Sequence, residues 1–271
     1  MTFITDTLHR AVHAAMEDAA NRAIRPRFQH LGEGDIIEKA ADDLVTIADR
    51  ESELILAEAL AKILPEAAIV GEEAVFADPS VADTLGGPLT WIIDPIDGTH
   101  NFAHGHPPFG VLIALAADGV GLGGWILDVP SGRFCQAAAG GGAFIDGQRI
   151  VAKTTGETPP VAAISVMFAD PARRAAIQSH IAPFYRLADI PRCAAEQYPR
   201  LVLGENDVSI FERTYSWDHA AGVLFLNEAG GKAARANGDA YRVDDNRKGL
   251  VAAASPALWD GLAARLAEVE G

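Results

Sequence analysis

Three short stretches of the chain bring together residues able to do chemistry. They are Gly71-Glu72-Glu73, Trp91-Ile92-Ile93-Asp94-Pro95-Ile96-Asp97-Gly98-Thr99 and Trp217-Asp218-His219-Ala220-Ala221-Gly222. In the second, an apolar strand ends in Asp94, Pro95 forces a turn and Asp97 follows, so two carboxylates can aim at one point. Hard oxygen ligands at a strand end suit Mg²⁺, which favours carboxylates together with water and substrate phosphate. Gly98 lets the backbone approach a ligand closely, and the N–H groups that open a following helix can cradle an anion. One loop could therefore hold both metal and phosphate. Taken singly, each piece has a plainer reading: Asp-Pro and Asp-Gly are turn dipeptides, Glu72-Glu73 a solvated pair, and Asp218 an acid suited to a helix start. Taken together, four carboxylates beside apolar strand ends need a cation to offset their repulsion.

The elements that must position these groups follow from the periodicity. An alanine-rich helix runs from Ile4 to Ile24 and ends near Pro26, and Gly32 to Asp42 reads as a loop or hairpin. A second helix runs from about Ile47 to Leu64, with Leu54, Ala57, Leu60, Ala61 and Leu64 on one face and Pro65 as its stop. Strands are expected at Ala67 to Val70, Thr90 to Ile93, Val111 to Ala117, Gly123 to Asp128 and Arg133 to Ala138, then a hairpin edge around Asp146-Gly147. The soft stretch Lys153 to Pro160 is the candidate boundary, dividing the chain into residues 1–152 and 153–271. Beyond it come strands at Val161 to Met167, Val208 to Phe211 and Leu250 to Ala253. They alternate with helices at Pro171 to Phe184, Ala194 to Leu203 and Trp217 to Ala229, and a last one opened by Ser255-Pro256. A helix pair, antiparallel strands, then alternating α and β define a layered α/β fold with two sub-domains.

Composition narrows the function further. The 271 residues carry 22 Lys and Arg against 37 Asp and Glu, a formal net charge of −15. Such a chain is unsuited to nucleic-acid polymers or anionic membranes, both of which need clustered bases. An acidic enzyme acting on an anion must import positive charge, and metal ions are the natural supplier. The two cysteines, Cys135 and Cys193, read as buried side chains in a reducing cytoplasm, and no signal peptide is visible. The apolar stretch from Gly110 to Trp125 is broken by Asp118 and five glycines, so paired strands are expected there and not a membrane span.

With these residues in place the sequence resembles the inositol monophosphatase family, within the lithium-sensitive, Mg²⁺-dependent sugar-phosphatase superfamily. The matching pieces are Asp43-Leu44-Val45-Thr46-Ile47-Ala48-Asp49, Gly71-Glu72-Glu73, Trp91 to Phe102, Trp217 to Gly222 and Glu228-Ala229-Gly230-Gly231. The resemblance implies an α-β-α-β-α sandwich, commonly a homodimer, with the metal site between the two halves. It implies two or three Mg²⁺ ions held by Glu72, Asp94, the Ile96 carbonyl, Asp97 and Asp218, with Asp94 bridging. Gly98 and Thr99 would bind phosphate through backbone N–H groups. Thr99 and Asp49 would form the pair that helps activate the attacking water, with Glu72 assisting. The implied reaction is in-line hydrolysis of a phosphomonoester without a covalent enzyme intermediate. Substrate contacts would come from the small-residue loop Cys193-Ala194-Ala195, chiefly Ala195, and from Glu212. However, Phe211-Glu212-Arg213-Thr214-Tyr215-Ser216 is one residue shorter than the family's pattern, which weakens the case for inositol specifically. Arg192 or Arg213 could instead meet a second anionic group or another alcohol moiety. Inositol 1-phosphate is the first choice of substrate, followed by histidinol phosphate, adenosine 3',5'-bisphosphate and fructose 1,6-bisphosphate. A regulatory binding protein keeping the fold is the rival of another class, and it would be expected to lose one of the ligands. Lys39 is left without a role. His100, His104, His106 and His219 lack any zinc-site spacing and are weighed as packing or surface residues.

Overall fold

In a computed structural model, residues 4–270 are described except 33, 41, 42 and 246; the side chains of Lys39, Ala40, Asp43 and Glu270 lie outside the description. Helix α1 (Asp6–Ala19) leads through a π turn and a 3-10 turn to a hairpin of β1 (Ile36–Ala40) and β2 (Asp43–Thr46). Then come α2 (Ile47–Ile63), β3 (Ala68–Gly71), α3 (Glu72–Ala77), β4 (Thr90–Asp97) and α4 (Thr99–Ala103). An antiparallel run follows: β5 (Gly110–Ala117), β6 (Val120–Asp128), β7 (Phe134–Ala138), β8 (Gly142–Ile145) and β9 (Gln148–Ile150). The rest of the chain is β10 (Val161–Ile164), α5 (Pro171–His180), β11 (Arg186–Leu187), α6 (Ala194–Leu203), β12 (Val208–Phe211), α7 (Ser216–Glu228), β13 (Lys232–Ala234), β14 (Leu250–Ala253) and α8 (Pro256–Glu270).

Apart from the β1–β2 hairpin, the strands make two sheets. Strands β3 to β9 lie in sequence order in the larger one, with only β3 and β4 parallel. The smaller has the order β11-β10-β12-β14-β13. Both faces of each sheet are covered. Helices α1 and α2 bury Met16, Leu56 and Leu60 against Trp91, Ile93, Ile113 and Trp125 on one face of the larger sheet. Helices α6 and α7 fill the space between the sheets, where Tyr198, Leu201 and Phe225 meet Ile92, Leu112 and Ile126 on one side and Leu250 and Ala252 on the other. Helices α5 and α8 close the far side, with Ile177, Trp259 and Leu262 against Val208, Ile210 and Val251. The result is the five-layer α-β-α-β-α sandwich. Apolar side chains on alternate strand positions, buried on both faces, account for it.

The sequence reading needs one correction of consequence, in α2. Leu54 does not lie on the buried face; it is 66% exposed. The buried stripe is Ala48, Asp49, Ser52, Glu53, Leu56 and Leu60. The helix is rotated so that its polar N-terminal half, and not a run of leucines, faces the end of β4. Three short elements were also not expected: β11, β13 and the helical turn α3. The two cysteines are free and buried, as expected.

Candidate active site

The carboxylates converge because of strand register. In the parallel pair, Gly71 lies opposite Ile93, so Glu72 and Asp94 follow side by side at the same end of the sheet. Asp94 shares its face of β4 with Ile92, the face that packs under α6 and α7. Simple alternation would turn Asp97, three residues on, to the opposite face. A bulge prevents this: Asp94 pairs with Leu112 and Asp97 with Gly110, three steps on β4 against two on β5. The extra residue restores Asp97 to the side of Asp94. Asp218, in the first turn of α7, comes from the middle layer to the same cleft, which is lined by Glu72, Asp94, Asp97, Gly98, Thr99 and Asp218.

Burial makes this arrangement electrostatically costly. Asp94 is 1% exposed and its Oδ1 has no hydrogen-bond partner. Burial, and then the negative charges of Glu72, Asp97, Asp218 and Asp49, push its carboxyl well above the usual carboxylate range. Asp97 is pushed up to about 7 by burial and by Asp218, against the pull of the Ala195 N–H, which donates to its Oδ2 at 2.5 Å. So the structure places Ala195 as a backbone prop for Asp97, with its side chain buried.

The phosphate end of the cleft is shaped by backbone. Gly98 has φ +86°, and a Cβ on it would lie 2.9 Å from the Pro108 oxygen and 3.2 Å from the Cys193 Cβ. Thr99, the first residue of α4, has its Oγ1 2.8 Å from the Ile96 oxygen and 3.2 Å from Asp49 Oδ1. Asp49 Oδ2 accepts from the Thr46 N–H at 2.7 Å and from its hydroxyl at 2.5 Å. This is a capping box at the start of α2, so one carboxylate both caps a helix and reaches the cleft.

Glu53 is a site residue that the sequence alone does not reveal. It is buried one turn after Asp49, and its two oxygens accept from the N–H groups of Glu73 and Ala74, each at 2.8 Å. It thereby fixes the turn that presents Glu72. A Cβ on Gly71 would lie 2.3 Å from the Glu53 Cδ, so this carboxylate fits only beside a glycine. The available signal was Asp49 and Glu53 at i and i+4 on one helix face, together with a glycine directly after a strand.

Glu212 lines the cleft at the far end and is held by Arg173, whose Nε is 3.2 Å from its Oε1. His219 is buried between the Tyr198 hydroxyl, 2.8 Å from Nδ1, and the Arg213 carbonyl, 3.0 Å from Nε2. Burial pushes its imidazole down to about 3, so it is a neutral packing residue. Trp217 packs at the edge of the middle layer and stacks on Tyr215, consistent with a packing role. His100, at the cleft wall, stacks on the exposed His104.

The four carboxylates fit a divalent cation by their chemistry. The unpartnered Asp94 Oδ1 is the direct sign. Among the described residues no three such side chains form a ready-made cage. Mg²⁺ sites of this type use one or two carboxylates per ion and leave positions for water and phosphate.

Comparison with known proteins matches residues 4–270 to the model of the inositol monophosphatase family. The chain belongs to that family. Among inositol monophosphatase relatives, the inositol-1-monophosphatase of Mycobacterium leprae is 32% identical over 240 residues, covering 84% of this chain and 80% of that protein. The fructose-1,6-bisphosphatase/inositol-1-monophosphatase of Thermotoga maritima is 31% identical over 206 residues, covering 74% of this chain and 76% of that protein. A solved inositol monophosphatase structure from Thermotoga maritima shares the fold, with a TM-score of 0.81 over 98% of both chains at 24% identity. Among the described residues no helix is long and apolar enough to cross a membrane.

Proposed function

We propose that this phosphoric monoester hydrolase uses Mg²⁺, held by Glu72, Asp94, Asp97, Asp218 and the Ile96 carbonyl, to release phosphate from small alcohol phosphates, inositol 1-phosphate among them. The observation that carries the reading is the buried, partnerless Asp94 oxygen amid three other carboxylates. When bound, the cations supply the charge that acidifies a water and offsets negative charge on the phosphoryl and leaving oxygens.

The chain's own groups do the rest. The glycine turn at Gly98 opens the backbone at the start of α4, so that the N–H groups of Gly98 and Thr99 face the phosphoryl oxygens. Thr99 Oγ1 takes the proton of the attacking water while passing its own to Asp49 Oδ1, 3.2 Å away. Thr46, donating twice to the other Asp49 oxygen, keeps that carboxylate oriented. A histidinol-phosphatase from Chlorobaculum parvum is 31% identical over 202 residues, covering 72% of this chain and 74% of that protein, so histidinol phosphate belongs among the esters to test.

Phosphate release from inositol 1-phosphate, histidinol phosphate, fructose 1,6-bisphosphate and adenosine 3',5'-bisphosphate, with Mg²⁺ and then with EDTA, tests the reading. Turnover that needs Mg²⁺ is expected with at least one ester. Release unaffected by EDTA, or none from any ester, would overturn it. A second expectation concerns Glu53. In Glu53→Gln one of its two backbone N–H partners faces an amide N–H₂ group, loosening the Glu72 turn. The Mg²⁺ concentration for half-maximal activity should rise about ten-fold or more, and a titration of rate against Mg²⁺ reads this directly.

A further inference from the structure

A single buried amide ties together the segments that close on the phosphate end of the cleft. Asn101 stands one turn after Gly98, in α4, and is 4% exposed. Its Nδ2 donates to the Pro108 oxygen at 2.8 Å and to the Pro191 oxygen at 2.9 Å. An amide nitrogen has two protons, and both are used here. Both partners are carbonyls, which only accept, so the nitrogen end of the side chain must face them. The two carbonyls lie 7 and 90 residues further along the chain.

Both segments that the amide grips border Gly98. The Pro108 oxygen is the atom that a Cβ on Gly98 would meet at 2.9 Å, and Pro108 leads into Gly110, the partner of Asp97 across β4 and β5. Pro191 leads into Cys193, whose Cβ lies 3.2 Å from the same position, and then into Ala195, which donates to Asp97. Helix α4 is a five-residue turn, too short to hold its own direction by its internal hydrogen bonds. Its buried side chains are Asn101 and Phe102. Phe102 packs against Phe28 and Phe109, a contact without strong directional preference. Asn101 supplies the direction. Aspartate would set a carboxylate against two carbonyl oxygens, serine has one proton to give, and a hydrocarbon would leave both carbonyls without this donor.

We propose that Asn101 is a positioning residue for phosphate binding: by holding Pro108 and Pro191 it fixes the Gly98–Thr99 turn relative to the start of α6. It touches neither the ester nor a cation and acts through those two segments. The proposal rests on the hydrolase reading above and adds a residue to the same site. Calorimetric titration of inorganic phosphate at saturating Mg²⁺ tests it without requiring turnover. Asn101→Leu, branched at Cγ as asparagine is but without donors, should bind phosphate about ten-fold or more weakly, since a shift of about 1 Å at such a site can cost about 10²-fold. KM for any ester turned over should rise by a similar factor, with kcat changed less. Asn101→Ser, smaller and able to donate once, should also bind phosphate more weakly, and it carries the test if the leucine variant does not fold. Leu262→Ala is the control, because Leu262 is buried in the α8 layer on the far side of the smaller sheet. Its melting temperature should fall while its phosphate affinity stays within about two-fold of wild type.

Phosphate affinity equal to wild type in the folded Asn101 variants would overturn the proposal. A loss in Leu262→Ala as large as that in Asn101→Leu would mean general loosening and overturn it too, as would a wild-type protein that binds no phosphate. The titration also keeps this proposal and the hydrolase reading apart. Weaker phosphate binding in the Asn101 variants alone, with no ester turned over by the wild-type protein, would overturn the hydrolase reading and support the role of Asn101. Mg²⁺-dependent turnover with unchanged phosphate affinity in the variants would do the reverse.

Discussion

Asp94→Asn should abolish phosphate release and, with EDTA present at pH 8, melt higher than the wild-type protein. The two halves of this result come from one fact of placement. The Asp94 carboxylate is buried, one of its oxygens has no partner, and the charges of Glu72, Asp97, Asp218 and Asp49 all act on it. Without a cation it is a liability, since a buried charge or a forced protonation costs free energy relative to the unfolded chain. An amide of the same shape removes that cost. It also removes the negative charge that would draw the cations in, so the rate should fall about 10³-fold or more, at or beyond what removing one oriented charge-stabilising group does elsewhere. Each kcal/mol recovered would raise the melting temperature of a chain this long by roughly 2–4 °C. As pH falls and protonation removes the wild-type charge, the difference in melting temperature should shrink. Retained turnover, or an apo variant that melts lower at pH 8, would sink the assignment of Asp94 to a cation site.

The parts of this site that were legible in the sequence are those in which chemistry and chain position coincide. Asp94, Asp97, Gly98 and Thr99 sit within six residues, and one local turn with one helix start brings them together. Helices and strands were legible wherever the apolar period was regular, as in α6, β12 and β14, whose bounds match the expected ones. The orientation of α2 was not legible. Its leucines at 54, 56 and 60 permit more than one buried face, and the choice is made by partners far along the chain. Ser52 Oγ lies 3.4 Å from the Pro95 oxygen, Asp49 reaches Thr99, and Glu53 holds the backbone after β3. Local hydrophobic periodicity carries no information about a helix face that is buried because it is polar and partnered. The bulge between Asp94 and Asp97 is a similar case, since only the pairing of β4 with β5 shows the extra residue. Glu212 and Ala195 were legible as positions in a motif, whereas their contacts with Arg173 and Asp97 come from the folded layers.

The strongest consequence for the whole molecule is that its stability and its metal affinity should depend on pH in opposite senses. The Asp97 carboxyl is pushed up to about 7, from 3.8 in the unfolded chain, by burial and by Asp218. Between those two values the folded, metal-free protein holds a proton that the unfolded chain has released. Its contribution to stability is therefore full below about pH 4 and is lost as pH rises toward 7. Asp94 acts in the same direction. Melting temperatures in EDTA should fall across this window, and Asp97→Asn should flatten the fall. Cations reverse the balance, because they bind the ionised carboxylates and must displace those protons. Calorimetric titration of Mg²⁺ at pH 6, in buffers of different ionisation enthalpy, should show protons released on binding, with weaker affinity than at pH 8.5, where release should be small. Stabilisation by Mg²⁺ should likewise be larger at pH 8.5 than at pH 6. An EDTA-treated protein that becomes more stable from pH 4 to 7, together with Mg²⁺ binding that releases no protons at pH 6, would mean that these carboxylates are not the cation site. The same burial that makes the empty cleft unstable near neutral pH makes it a strong binder of divalent cations, so its instability and its activity have one physical origin.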